Sequence, residues 1–180
     1  MIYIFLANGF EETEAIAPID FLRRSGKTVV TVGVGDNVIT SSHGVPVVTD
    51  TIAQEAPLTD ELEMIILPGG MPGTLNLEKS EYVQAAIDFC VKNGKYVGAI
   101  CAAPSILGHK GLLKGRNAAC YEGFEDQLEG AVISYEPVAC DGIFITSRGA
   151  GTAIEFGLAL VEKAVSKAES DRIRSSIMSF

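Results

Sequence analysis

The sequence predicts an α/β fold in which a mostly parallel sheet is covered by helices on both faces. Three observations carry this. Short β-branched runs alternate with stretches of helical periodicity along the 180 residues. The strand candidates Ile2–Leu6, Met64–Leu67 and Tyr96–Ile100 are almost wholly apolar, as strands buried on both faces are. Glycines such as Gly26 and Gly94 sit where helices must stop before the next strand.

Taken in order, Ile2–Leu6 is a buried first strand. Residues 12–25 carry Ile16, Ile19 and Leu22 at helical spacing and end at Gly26, while Pro18 predicts a late start or a kink. Residues 28–34 form the second strand, and 38–40 with 45–48 form a small hairpin around Ser42, His43 and Gly44. Met64–Leu67 is a central strand ending in Pro68-Gly69-Gly70. Residues 80–93 are an amphipathic helix with Val83, Ile87 and Val91 on one face. Tyr96–Ile100 is a strand running into Cys101. Further strands are expected at 117–120, 132–135, 138–139 and 143–146, the last three as a meander. Residues 151–164 are a helix carrying Phe156, Leu160 and Val161, and 169–180 form a short docking helix.

The bulk numbers narrow the function. One domain over residues 1–180 suits the length. With 47% hydrophobic and 21% charged residues the chain is ordinary globular material. A net charge of −9 with no basic cluster beyond Arg23-Arg24 argues against nucleic acid and anionic membranes as partners. Cys90, Cys101, Cys120 and Cys140 are widely spaced, and the only histidines are His43 and His109, so zinc-site spacing is absent and no metal or cofactor is expected. The opening apolar run is short, lacks a basic leader and meets Asn8-Gly9 at once, which reads as a strand and not a signal peptide. No apolar run nears the roughly 18 residues that span a bilayer. Free thiols and a cytoplasmic location follow as expectations.

The most informative stretch is Tyr96 to Pro104. An apolar run ends on Cys101, the small residues Ala102 and Ala103 follow, and Pro104 precedes Ser105-Ile106-Leu107. Such a pattern ends a buried strand, turns sharply and enters a helix, presenting one thiol at the helix start, where amides and the macrodipole favour thiolate. That thiol is a nucleophile, a redox sensor or an inert buried cysteine. In an open parallel sheet, ligands gather beyond the carboxyl ends of the strands. The acidic segment Glu11, Glu12 and Glu14, the Gly69-Gly70 turn and Cys101 all fall there, so a carboxylate, a bared backbone and a thiol converge on one rim. Each has a plainer reading: a solvated helix start, a turn and a packed cysteine. His109 falls at a helix end and His43 in a hairpin turn, and neither has an obvious route to Cys101. A Cys-His peptidase is therefore disfavoured.

At these motifs the chain resembles the ThiJ/PfpI superfamily, in its DJ-one-like branch. The resemblance is carried by residues 9–15 (GFEETEA), 20–26 (DFLRRSG), 67–70 (LPGG), 99–104 (AICAAP) and 146–152 (TSRGAGT). It implies a flavodoxin-like three-layer sandwich, also described as class I glutamine amidotransferase-like, and a homodimer. It implies a strained nucleophile elbow at Cys101, a protonated Glu14 bonded to its sulfur, and an oxyanion site at the amides of Gly70 and Ala102. Glutathione-independent glyoxalase or deglycase chemistry on small 2-oxoaldehydes or glycated substrates is the implied activity. The alternative is an oxidative-stress sensor or redox chaperone in which Cys101 becomes a sulfinate. Two departures stand out. Cys120 occupies the place of a histidine found near the nucleophile in some members, and His43 that of an interface arginine. Arg24 and Arg148, within the matching motifs, complete the expected neighbourhood.

Overall fold

The computed structural model describes residues 1–179, so the expected helix end at Phe180 lies outside the described residues. The strands are β1 (Ile2–Leu6), β2 (Val29–Gly33), β3 (Val38–Thr40), β4 (Pro46–Val48), β5 (Thr51–Ile52), β6 (Met64–Leu67), β7 (Tyr96–Ile100), β8 (Asn117–Ala118), β9 (Val132–Ile133), β10 (Val138–Asp141) and β11 (Phe144–Ser147). The helices are α1 (Glu12–Arg24), α2 (Gly73–Lys79), α3 (Glu81–Lys92), α4 (Pro104–His109), α5 (Ala153–Ala164) and α6 (Lys167–Ser176).

Seven strands make one sheet in the order β10-β11-β7-β6-β1-β2-β5, parallel throughout except for the β10–β11 pair at one edge. Period-2 alternation divides the core into two layers. Tyr3 and Phe5 of β1, Ile65 and Leu67 of β6, and Val97 and Ala99 of β7 pack with Val83, Ile87 and Leu107 of α3 and α4. Ile2, Ile4, Leu6, Met64, Ile66 and Ile100 point the other way, against Ile19 and Leu22 of α1, Phe156 and Leu160 of α5, and Ile173 of α6. The result is the three-layer, flavodoxin-like sandwich implied by the sequence. From β1 the chain goes first to β2 on one side, then to β6 on the other. The topological switch therefore falls between β1 and β6, the place where open α/β sheets gather their ligands beyond the strand ends.

Several elements differ from the sequence reading. Pro18 lies inside α1, buried, and neither delays the helix start nor ends the helix. Its backbone lies against α5, where a Cβ on Gly157 would be 3.4 Å from Pro18 Cα, and α1 does without the one N–H that proline lacks. β9 does not join a meander. It pairs in parallel with β8 in a separate two-stranded sheet, leaving only β10 and β11 as an antiparallel hairpin. α2 and β5 were not expected. The first is short and begins within a Pro/Gly-rich loop, and the second is a two-residue edge.

Gly98 in β7 lets α5 sit close to the sheet: a methyl there would lie 2.9 Å from Leu160 Cδ2 and 3.2 Å from Phe156 Cζ. Gly98→Ala should cost about 1–3 kcal/mol through overpacking and lower the melting temperature by several degrees, at about 2–4 °C per kcal/mol for a chain of this size. Thermal denaturation checks this, and an unchanged midpoint would show that α5 does not depend on that contact.

Candidate functional site

Four loops meet beyond the carboxyl ends of β1, β6, β7 and β11. The β1 loop leads into α1, whose start is capped by Glu11: its carboxylate accepts from the Glu14 amide at 2.7 Å. That cap orients the first turn so that Glu14 points inward, where it is 1% exposed. The β6 loop supplies Gly69, whose N–H donates to Glu14 Oε2 at 2.9 Å. The β7 end supplies Cys101, with φ at +65°. A non-glycine residue rarely holds that region, at a cost of order 1–3 kcal/mol, and here Ser147 O accepts from its N–H (3.0 Å) while its carbonyl accepts from Tyr121 N–H (2.8 Å).

Close approach is possible because residue 69 has no side chain. A Cβ on Gly69 would sit 2.6 Å from Cys101 Cβ, 2.7 Å from Glu14 Oε2 and 3.0 Å from Cys101 Sγ. Carboxyl and sulfur therefore face each other across a bare backbone. The adjacent Gly70, at φ +88°, serves the same purpose between the loops. A Cβ there would meet Glu11 N at 2.5 Å and Gly9 O at 2.6 Å.

Burial dominates the electrostatics. It raises the Glu14 carboxyl to about 7, although hydrogen bonds from Cys101, Gly69 and Ala150 favour its ionised form. Burial, then the Glu14 charge, push the Cys101 thiol up to about 12, against the amides of Gly70 and Ala102. The expected depression of the thiol by the helix start is thus reversed: α4 has only six residues, and desolvation outweighs its amides. The influence of Glu14 changes sign with its own proton. A carboxylate repels a thiolate, whereas a neutral carboxyl can donate to one. The two groups titrate together, and the position of one proton decides whether the sulfur is an anion. Cys101 is half-buried, whereas Cys90 and Cys120 are buried.

The remaining expected residues divide. The amides of Gly70 and Ala102 both bear on the sulfur. Arg148 lines a cleft of about 370 Å³ with Tyr121, Glu122 and the Gly149–Thr152 loop. Arg24 is not brought to the site: it ends α1, about 15 Å along the axis from Glu14, and pairs with Asp20. Cys120 is buried in the core layer that holds α3 and α4, as a packed residue. His43 is 70% exposed and bonded to Glu12 Oε1 at 3.0 Å. Glu11, Glu12 and His43 bring ligand atoms within 4.8 Å of one another, the one group among the described residues able to hold a metal ion. Glu11 is committed to its cap there, and a helix N-terminus opposes a cation. Sequence reasoning gave no role to Tyr121, Gly149 and Ala150. The signal was available, because residues 148–150 follow β11 as the other rim loops follow β1, β6 and β7.

Comparison with known proteins agrees with this geometry. Residues 1–163 match the DJ-1/PfpI family. The chain belongs to that family. Protein DJ-1 homolog B of Arabidopsis thaliana is 34% identical over 98% of this chain, and homolog A is 35% identical over 98%. The chain spans only 41% and 46% of the length of those two relatives. The glutathione-independent glyoxalase DJ-1 of Schizosaccharomyces pombe is 30% identical, covering 97% of this chain and 96% of that protein. The solved structure of oxidized DJ-1 from Toxoplasma gondii superposes with a TM-score of 0.94 at 33% identity, covering 99% of this chain and 97% of the other.

Within this DJ-1/PfpI fold, Glu14 makes stability depend on pH in a defined direction. A folded-state carboxyl at about 7, against 4.5 when solvated, contributes stability that is fully present below 4.5 and is lost as pH rises through 7. Glu14→Gln, neutral throughout, should therefore be more stable than wild type at pH 8, by on the order of 2–3 kcal/mol, with the gap closing towards pH 5. Urea denaturation at both pH values measures it. A gap that is equal at the two would mean that Glu14 is not held against ionisation.

Proposed function

We propose that the chain is a cysteine-dependent, glutathione-independent glyoxalase or deglycase acting on 2-oxoaldehydes or early glycation adducts. Cys101 is the nucleophile, Glu14 the acid–base group, and the Gly70 and Ala102 amides the oxyanion donors. The observation that carries the reading is the buried Glu14 carboxyl facing the Cys101 sulfur across the bare backbone of Gly69. The name of the S. pombe relative supports the reaction class.

The residues account for each step. With the shared proton on Glu14, the Cys101 thiolate adds to the aldehyde carbon and the new alkoxide is held by the two amides. Glu14 protonates that oxygen, leaving a hemithioacetal and a carboxylate. The carboxylate removes the proton on C1 and returns it to C2, while the C1 hydroxyl proton passes to the C2 oxygen, giving a 2-hydroxy thioester. Water then cleaves the C–S bond, releasing the 2-hydroxy acid and restoring the pair. Nothing is oxidised or reduced overall, so no metal or cofactor is called for. Deglycation uses the same groups, with an amine or thiol as the leaving partner.

The 180 residues would act as one domain and as a homodimer in the cytoplasm. Support for pairing comes from exposed Ile16 on α1 and Val38, Val45 and Val48 on the β3–β4 hairpin, which Glu12 and His43 tie together. No helix among the described residues is long and apolar enough to cross a membrane. A second reading, peroxide sensing by Cys101 oxidised to a sulfinate, is favoured by its partial exposure and by the oxidized state of the T. gondii structure.

Two measurements test the leading proposal. Lactate formation from methylglyoxal should fall roughly a thousandfold or more in Cys101→Ser and about 10²–10⁴-fold in Glu14→Gln. Full activity in either would end it, and negligible wild-type turnover with selective gain of two oxygens at Cys101 would favour sensing. In wild type, kcat/KM should drop about tenfold per unit as pH falls below about 7, where the Glu14–Cys101 pair takes up a second proton. A profile flat from pH 8 to pH 5 would remove Glu14 from the reaction.

A further inference from the structure

We infer that the cleft between Tyr121 and the Arg148–Thr152 loop binds a carboxylate on the substrate, with Arg148 as its partner. This rests on the glyoxalase or deglycase reading and names the substrate class: 2-oxoaldehydes or adducts whose far end is a carboxylate.

The cleft adjoins the reacting pair. A Cβ on Gly149 would lie 3.9 Å from Glu14 Oε1 and 3.3 Å from the Tyr121 ring. On the opposite wall, the Tyr121 N–H donates to the Cys101 carbonyl at 2.8 Å. Both walls thus touch the pair directly, and a substrate bound at Cys101 has this cleft, of about 370 Å³, for its substituent.

Arg148 is the group in it without a task. Of the six arginines, it alone makes neither an ion pair nor a guanidinium hydrogen bond among the described residues. Its guanidinium stands 6.0 Å from the centre of the Tyr135 ring, a cation–π contact that holds the group while leaving its N–H fork free. Glu122 shares the cleft but forms no ion pair with it. That fork matches a carboxylate in two parallel hydrogen bonds. The half-exposed Tyr121 ring offers an apolar wall for the carbon chain between the reacting carbonyl and the charge. With a net charge of −9, the protein as a whole repels an anionic substrate. A preference for one therefore requires a local cation, and Arg148 is the cation in this cleft.

The test compares initial rates on phenylglyoxal and 4-carboxyphenylglyoxal, which differ only in the carboxylate. Wild type should show the higher kcat/KM on the carboxylated compound. Arg148→Gln should lower the ratio of the two values by about tenfold or more, and Arg148→Lys, which keeps the charge without the fork, should lower it less. Thermal denaturation and the Arg148→Lys protein separate loss of recognition from loss of fold. A ratio unchanged in Arg148→Gln, or a wild type that favours the neutral compound, overturns the inference while leaving the glyoxalase reading intact. Wild type consuming neither compound nor methylglyoxal overturns the reading beneath it.

Discussion

The close approach of a buried carboxyl and a half-buried thiol is the constraint around which this end of the sheet is built. Neither group would choose its surroundings alone. Charged Glu14 is poorly solvated where it sits, and Cys101 is held at φ +65° with its sulfur against an acid. In the proposed reaction they act together, the carboxyl supplying and taking back the proton that the sulfur gives up. The contact exists only because residue 69 carries no side chain. Gly70 and Gly73 extend the same device: their Cβ positions would fall on the backbone of residues 9–11, so the β1 and β6 loops lie against each other main chain to main chain.

That arrangement needs a rigid support. The fold provides one by burying both faces of β1, β6 and β7, the three strands whose ends carry Glu14, Gly69 and Cys101. Each strand divides its side chains between the two core layers, so a shift of one strand would disturb both. Hydrogen bonds across the loops fix the remaining freedom. Glu11 N–H donates to the Gly69 carbonyl (2.9 Å), Gly73 N–H to Gly9 O (3.2 Å), and the Asn76 side chain to Asn8 O (2.9 Å). A strained cysteine is sustained where its neighbours over-determine its position, and here both of its backbone polar groups are engaged.

Much of this was legible in the amino-acid order, and the rest failed for identifiable reasons. The central strands and the helices at 12–24 and 81–92 were readable because their apolar periods are strong and their stops are glycines. β5 is two residues, too short for a period; β8 and β9 fall where strands were expected, at 117–120 and 132–135, but β9 pairs with β8 across an intervening loop that no local pattern encodes. Pro18 misled because proline is normally a helix breaker, whereas tertiary packing against α5 accommodates it. At the site, the rim rule located Glu14, Gly69-Gly70 and Cys101. It could not give the direction of the thiol shift, because the balance between helix amides and desolvation is a property of packing. Arg148 follows the carboxyl end of a strand and so falls on the rim, whereas Arg24 closes a helix and falls at the other end of the sheet.

The absence of a histidine beside Cys101 bears on how such a site handles protons near neutrality. His43 is turned to Glu12 and His109 to Glu78, while Cys120 is packed in the core. An imidazole is the usual base at pH 7 because its ordinary value lies near 6.5. Burial moves Glu14 from the ordinary carboxylate range to about 7, into the range that histidine normally occupies. A carboxyl placed there can hold and release a proton at neutral pH, and it differs from imidazole in one respect that suits a thiol partner. Its protonated form is neutral, so it can hydrogen-bond a thiolate without forming a buried ion pair whose desolvation would offset the gain. In the proposed reaction, the low exposure of Glu14 is therefore the property that would let a glutamate serve where a histidine would otherwise be required.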